Sequence, residues 1–194
     1  MTGEPLRLVL EAGEPAGDAL GAALIRGLRR EAGRPLALSG VGGPLMAREG
    51  LASLFPQEDL AVMGLVEVLP RLRTLLRRMD ETAAACLAAA PAALITVDSP
   101  SFGLRVAKRV RAARPAIRTI HYVAPQVWAW RPGRARRIAA HVDHLLALLP
   151  FEPGWFTPHG MTCDFVGHPA AARRRASGAE VAALRAEAGA EEGG

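Results

Sequence analysis

Asp98 closes the apolar run Ala93 to Val97, where a parallel strand would carry a carboxylate to its carboxyl end. Partly desolvated there, it can take a proton from a sugar hydroxyl as a general base. The competing reading is a helix cap, because Asp, Ser and Pro are good helix starters and Asp98, Ser99 and Pro100 precede a helical pattern. Gly13, Gly17 and Asp18 lie in the segment EAGEPAGD at 11–18, where glycine lets a ligand approach the backbone and a helix amino end favours an anion. Glu14 would compete with a phosphate there, so a neutral sugar hydroxyl held by Glu14 or Asp18 fits better. The spacing is not GxGxxG. Gly42 and Gly43, in GVGGP at 40–44, are either ligand contacts or the close turn that their composition also explains.

The loop VAPQVWAWRPGR at 123–134 gathers Gln126, Trp128, Trp130, Arg131 and Arg134. Indoles that need a partner for their N–H, beside guanidinium forks, suit a sugar phosphate or a headgroup. They equally suit a covered sheet edge beside a solvated helix face. His121, inside an apolar run, reads as a core histidine, whereas His168, in a Gly-His-Pro turn, is better placed to meet a ligand. No histidine sits in a carboxylate or cysteine set at metal-ligand spacing, so neither metal nor cofactor is expected. LAVMGLVEVLPRLRTLLRRM at 60–79 joins Met63, Leu65, Val66, Leu69, Leu72 and Leu76 to Arg71, Arg73, Arg77 and Arg78. It is read either as an acyl-chain or membrane-surface segment or as a core helix with a charged outer side.

Short apolar runs bounded by Gly or Pro must position these loops. They fall near 6–12, 36–40, 92–98, 117–123, 143–149 and 163–167, alternating with helical patterns at 18–32, 66–90, 102–114, 132–141 and 179–188. That alternation predicts an α/β fold of βαβ units on a parallel sheet with helices on both faces. Ligands of such sheets gather at the carboxyl ends of the strands. Pro125 should end its strand and turn the chain outward. Residues 1–169 are expected to be one domain, and 170–194 an Ala/Arg/Glu-rich tail.

The 194 residues are half hydrophobic, enough for a core of ordinary size. The net charge is +5, yet 23 of the 24 basic residues are arginine; that compositional bias makes the charge weak evidence for nucleic acid, and none is expected as partner. Cys86 and Cys163 form neither a CxxC nor a disulfide framework, so both are expected to be core thiols in a reduced, cytoplasmic compartment. The amino terminus lacks the pattern of a secretory signal, and no apolar run approaches the roughly 18 residues of a membrane span.

Taken in order, AGEPAGD (12–18), GVGGPLM (40–46), LAVMGLVEVL (60–69), VDSPSF (97–102), IHYVAPQVWAWRPGR (120–134), LALLPFE (146–152) and FVGHP (165–169) closely resemble the lipid-A-disaccharide synthases. The resemblance covers about residues 6–170. It implies the Rossmann-like, acceptor-side half of a GT-B glycosyltransferase. It also implies an inverting reaction joining UDP-2,3-diacylglucosamine to 2,3-diacylglucosamine 1-phosphate at the cytoplasmic face of the inner membrane, with UDP released. Asp98 and Glu14 match residues important in that family, with Asp98 as the base; Ser99, Gln126 and the loop residues above become substrate contacts. A second, nucleotide-binding domain is expected to be missing, or to reside on another chain, which predicts weak UDP binding and slow or no turnover. A GT-B sugar-nucleotide epimerase and a non-catalytic lipid-binding module are the alternative readings.

Overall fold

The structure, a computed structural model, describes residues 3–60, 65–128, 133–172 and 176–187, the side chains of 65–71 and 172 excepted. Seven parallel strands form one sheet in the order β3-β2-β1-β4-β5-β6-β7: β1 Leu6–Ala12, β2 Leu36–Val41, β3 Ala52–Ser53, β4 Ala93–Val97, β5 Arg118–Tyr122, β6 His144–Ala147 and β7 Thr162–Phe165. β4, ALITV, is buried at every position, as a central parallel strand covered on both faces requires. The strand order reverses between β1 and β4. There the β1 loop leaves toward one edge and the β4 loop toward the other, opening a crevice at the carboxyl ends of the strands.

Helices cover both faces, as the alternation predicted. α1 (Pro15–Glu31) and α2 (Pro44–Arg48) pack on one side, where Ala22, Ile25 and Met46 meet Leu8, Leu10, Ile95 and Val97. α3 (Leu65–Ala89) and α4 (Pro100–Ala113) pack on the other, bringing Met79, Cys86, Phe102 and Val106 against Val9 and Leu94. α5 (Gly133–Ala139) and α6 (Pro153–Phe156) join a third cluster in which Ile138 and Phe156 lie on Leu145, Ala147 and Cys163. α1, α2 and α4 each carry proline in the first turn, where its absent N–H costs nothing and its fixed φ starts the helix.

Short elements escaped the sequence reading. β3 has two residues and α2 five, below the length at which periodicity is detectable. The remaining boundaries fall within a few residues of those expected. α7 (Gly178–Glu187) has no buried residue; it begins at a capping box in which Ser177 and Glu180 exchange hydrogen bonds of 2.7–3.3 Å. Both cysteines are buried, free and in the core. Desolvation pushes each thiol up to about 11.

Candidate functional site

Three residues at the carboxyl ends of the two central strands hold backbone that L-residues avoid. Asp98 has φ 52°, Ser99 φ 40° and Val123 φ 83°; a β-branched residue at positive φ is a genuine outlier. The ladder runs on into two of them. Val97 pairs with Tyr122, after which the Asp98 N–H donates to the Tyr122 carbonyl at 2.9 Å and the Val123 N–H donates to the Leu146 carbonyl at 3.0 Å. Conformations of this kind cost about 1–3 kcal/mol each, and such outliers cluster at functional sites.

Asp98 and Val123 line one cleft of about 280 Å³ with Pro100, Ala124, Pro125, Gln126 and Arg134. Asp98 is half-buried and Gln126 exposed. The helix cap that competed for Asp98 is taken by the next residue, since Ser99 holds the cap position of α4 and makes no side-chain cap bond. Asp98 and Arg134 thus line the same cleft, an acid and a cation together. Glu14 stands exposed at the amino end of α1 with no side-chain cap bond. Its loop meets the Asp98 loop through Gly17, whose α-carbon faces the Val97 carbonyl and the Asp98 side chain.

The structure gives several of the expected contacts partners within the chain. Asp18 is 2 % exposed, and its carboxylate accepts the backbone N–H groups of Gly43 at 3.0 Å, Leu45 at 2.9 Å and Met46 at 2.9 Å. A side chain on one helix thus caps the next. Gly13 and Gly17 are buried and serve close packing, Gly13 against Ser99 and Gly17 against β4. Ser99 is buried, its hydroxyl turned to Gly13 and not into the cleft. Gly42 and Gly43 border a separate shallow surface with Ser53, Phe55 and Gln57. His168 is exposed and lines a different groove with Leu20, Leu24 and Tyr122. That groove is larger, about 730 Å³, but includes neither Asp98 nor strained backbone, so chemistry favours the smaller cleft.

Trp128 packs edge-to-face on Phe151, centroids 5.1 Å apart at 87°. Phe151 is displayed by a turn in which the Leu149 N–H donates to the buried Glu152 carboxylate at 2.9 Å, which gives the Leu-Pro-Phe-Glu motif a structural reason. Trp130, Arg131 and Met63 lie outside the described residues, as do the side chains of Leu65, Val66 and Leu69. On the same helix Leu72, Arg73, Leu76 and Arg77 are exposed, in keeping with an outward apolar and basic face. Arg78 is not part of it. It pairs with Asp59 and Glu81 and lies 4.3 Å over the Phe55 ring.

Sequence reasoning missed Gln57, whose Nε2 donates to the carbonyls of Ala12 at 2.7 Å and Glu14 at 3.1 Å and so pins the Glu14 loop. His121 is buried as expected but only half satisfied: Nδ1 lies 2.7 Å from the Thr96 hydroxyl, while Nε2 has no partner among the described residues. Burial, with the Arg134 charge adding to it, lowers its pKa to about 3. Among the described residues, no group of three or more His, Cys, Asp and Glu side chains could hold a metal.

A doubly wound parallel sheet with helices on both faces defines a Rossmann-like α/β protein. The lipid-A-disaccharide synthetase family model matches residues 8–185, and the chain belongs to that family. It is 56% identical to the lipid-A-disaccharide synthase of Ruegeria pomeroyi over 187 residues, which are 96% of this chain and 46% of that protein. It is 55% identical to the one from Rhodospirillum centenum, over 86% of this chain and 41% of that protein. The chain thus spans less than half the length of these relatives.

Proposed function

We propose that this chain is the acceptor-side domain of a glycosyltransferase that joins UDP-2,3-diacylglucosamine to 2,3-diacylglucosamine 1-phosphate. Asp98 is the general base. It takes the proton of the acceptor's 6-hydroxyl as that oxygen attacks the anomeric carbon, and the carbon–oxygen bond to UDP breaks with inversion. The supporting observation is Asp98, held at positive φ at the end of β4 and lining a cleft with Gln126 and Arg134. Arg134 suits the acceptor phosphate, because a guanidinium meets phosphate with two donors. Glu14, exposed at the start of α1, is the second acid of the reading, a partner for a sugar hydroxyl.

The cleft, about 280 Å³, lies at the lower end of the ~300–1,000 Å³ of small-molecule sites. That agrees with a donor held chiefly by a further domain, such as the relatives' additional length could supply. Calorimetry with UDP tests this: the chain alone is expected to bind UDP no better than weakly, and submicromolar binding would overturn the division of labour. For the membrane surface, the exposed face of Leu72, Arg73, Leu76 and Arg77 supports peripheral attachment, with arginines on anionic headgroups and leucines in the acyl boundary. No helix among the described residues is long and apolar enough to cross a membrane. Co-sedimentation with anionic vesicles is expected to fall several-fold when Arg73 and Arg77 become glutamine, and unchanged binding would remove this part of the proposal.

A further inference from the structure

Glu11 is the one carboxylate in the sheet strands with no exposure. On β1 it pairs in register with Thr96 of β4, and Thr96 pairs with His121 of β5, so three polar side chains form a row under the strand ends. Neither Glu11 oxygen has a hydrogen-bond partner among the described residues. The carboxyl is instead enclosed by two glycines. A β-carbon on Gly13 would come within 3.4 Å of Oε1 and 2.8 Å of the Ser99 hydroxyl, and one on Gly103 within 2.6 Å of Oε2. Gly13 adjoins Glu14, and Gly103 lies on α4 just beyond Asp98 and Ser99, so the carboxyl fills the space behind both candidate acids.

A buried carboxylate with neither donors nor a cation is costly, and such a group keeps its proton instead. The charged groups acting on Glu11 are Asp98 from the β4 loop and Glu14 from its own loop, both negative; His121 is neutral at pH 7, and α3 and α4 present Met79, Phe102 and Val106 to this face. We propose that Glu11 is a positioning residue, a neutral acid wedged behind Asp98 and Glu14 that holds the two loops at working separation and adds no charge beside the base. Its ionisation would put a second negative charge against Asp98 and push the loops apart. The proposal rests on the reading of Asp98 as base. Burial, then Asp98 and Glu14, lift the Glu11 pKa well above its usual range, in agreement with the geometry.

The test uses the whole chain with 13C-labelled glutamate, followed by NMR from pH 4 to pH 10, with Glu11→Gln assigning the signal. The Glu11 carboxyl carbon is expected at the protonated position at pH 7. When it ionises at higher pH, the amides of Gly13, Asp98 and Ser99 should shift with it, and that step should vanish in Glu11→Gln. Glu11→Ala should displace the Asp98 and Ser99 amides already at pH 7, with glutamine restoring them; if the alanine variant does not fold, the glutamine titration decides. Because the unfolded chain gives up this proton first, the wild-type folding constant should also fall up to tenfold per pH unit above about 4.5, relative to Glu11→Gln. A Glu11 carbon titrating as an ordinary glutamate, or Asp98 and Ser99 amides indifferent to its ionisation, would overturn the proposal. These readouts use no substrate, so failure of the glycosyltransfer reading would leave them unchanged and be recognised separately.

Discussion

The buried, half-satisfied His121 predicts how the domain responds to acid. Protonation would place a cation between Thr96 and an apolar helix layer with no acceptor at Nε2, and the folded state resists it down to about pH 3. The unfolded chain takes the proton near its ordinary 6.5. Between those two values the unfolded state holds up to one more proton at this site than the folded state, so the His121 contribution to stability is intact above pH 6.5 and is lost as the pH falls towards 3, opposite in sign to that of Glu11. At 1.36 kcal/mol per unit, that amounts to about 2 kcal/mol between pH 7 and pH 5, and about 4 kcal/mol by pH 3, where the folded state is itself half protonated. The second figure approaches the lower end of the ~5–15 kcal/mol net stability of a whole domain. Urea unfolding at pH 7, 6 and 5 should give wild type a loss about 2 kcal/mol greater than that of His121→Asn, which keeps a polar partner for Thr96 but cannot titrate. Comparing the two chains cancels the carboxylates, which titrate in both. Parallel pH dependences would refute the reasoning and mean that the ring finds an acceptor in solution.

Asp18→Ala should cost about 3 kcal/mol in urea unfolding, since three backbone donors lose a charged acceptor; a loss under about 0.5 kcal/mol would return Asp18 to the list of ligand contacts. Gly40→Ala should cost about 3 kcal/mol or more, because φ is 135° and a β-carbon would overlap the Leu10 carbonyl; near-wild-type stability would show that β1 and β2 are less closely apposed. Cys86 and Cys163, with thiols near 11, should resist a disulfide reagent at pH 8 and react only on denaturation. Reaction in the native state would place a thiol at the surface.

What was legible in the sequence was the part governed by periodicity and punctuation. Apolar runs such as Ala93 to Val97 gave the parallel strands, and apolar residues at helical spacing gave the longer helices. Asp98 could be placed at a strand end because strand ends are where such a fold displays side chains. What stayed hidden depends on three-dimensional pairing. Asp18 looks like a loop acid by spacing, and only the approach of α2 to α1 shows its carboxylate spent on Gly43, Leu45 and Met46. The positive φ at Asp98, Ser99 and Val123 carries no glycine signature, since none of the three is glycine. Glu11 did leave a trace, a charged residue inside a strand apolar on both faces. It could have been singled out by asking what would satisfy it.

The most direct test is amide mapping by NMR as 2,3-diacylglucosamine 1-phosphate in detergent is titrated into the chain. Shifts centred on Glu14, Asp98 to Gly103, Val123, Gln126 and Arg134, weakened at least tenfold in apparent affinity by Arg134→Ala, are the predicted result. Shifts confined to the His168 groove or to the amino ends of the strands, with the Asp98 turn unmoved, would contradict the account.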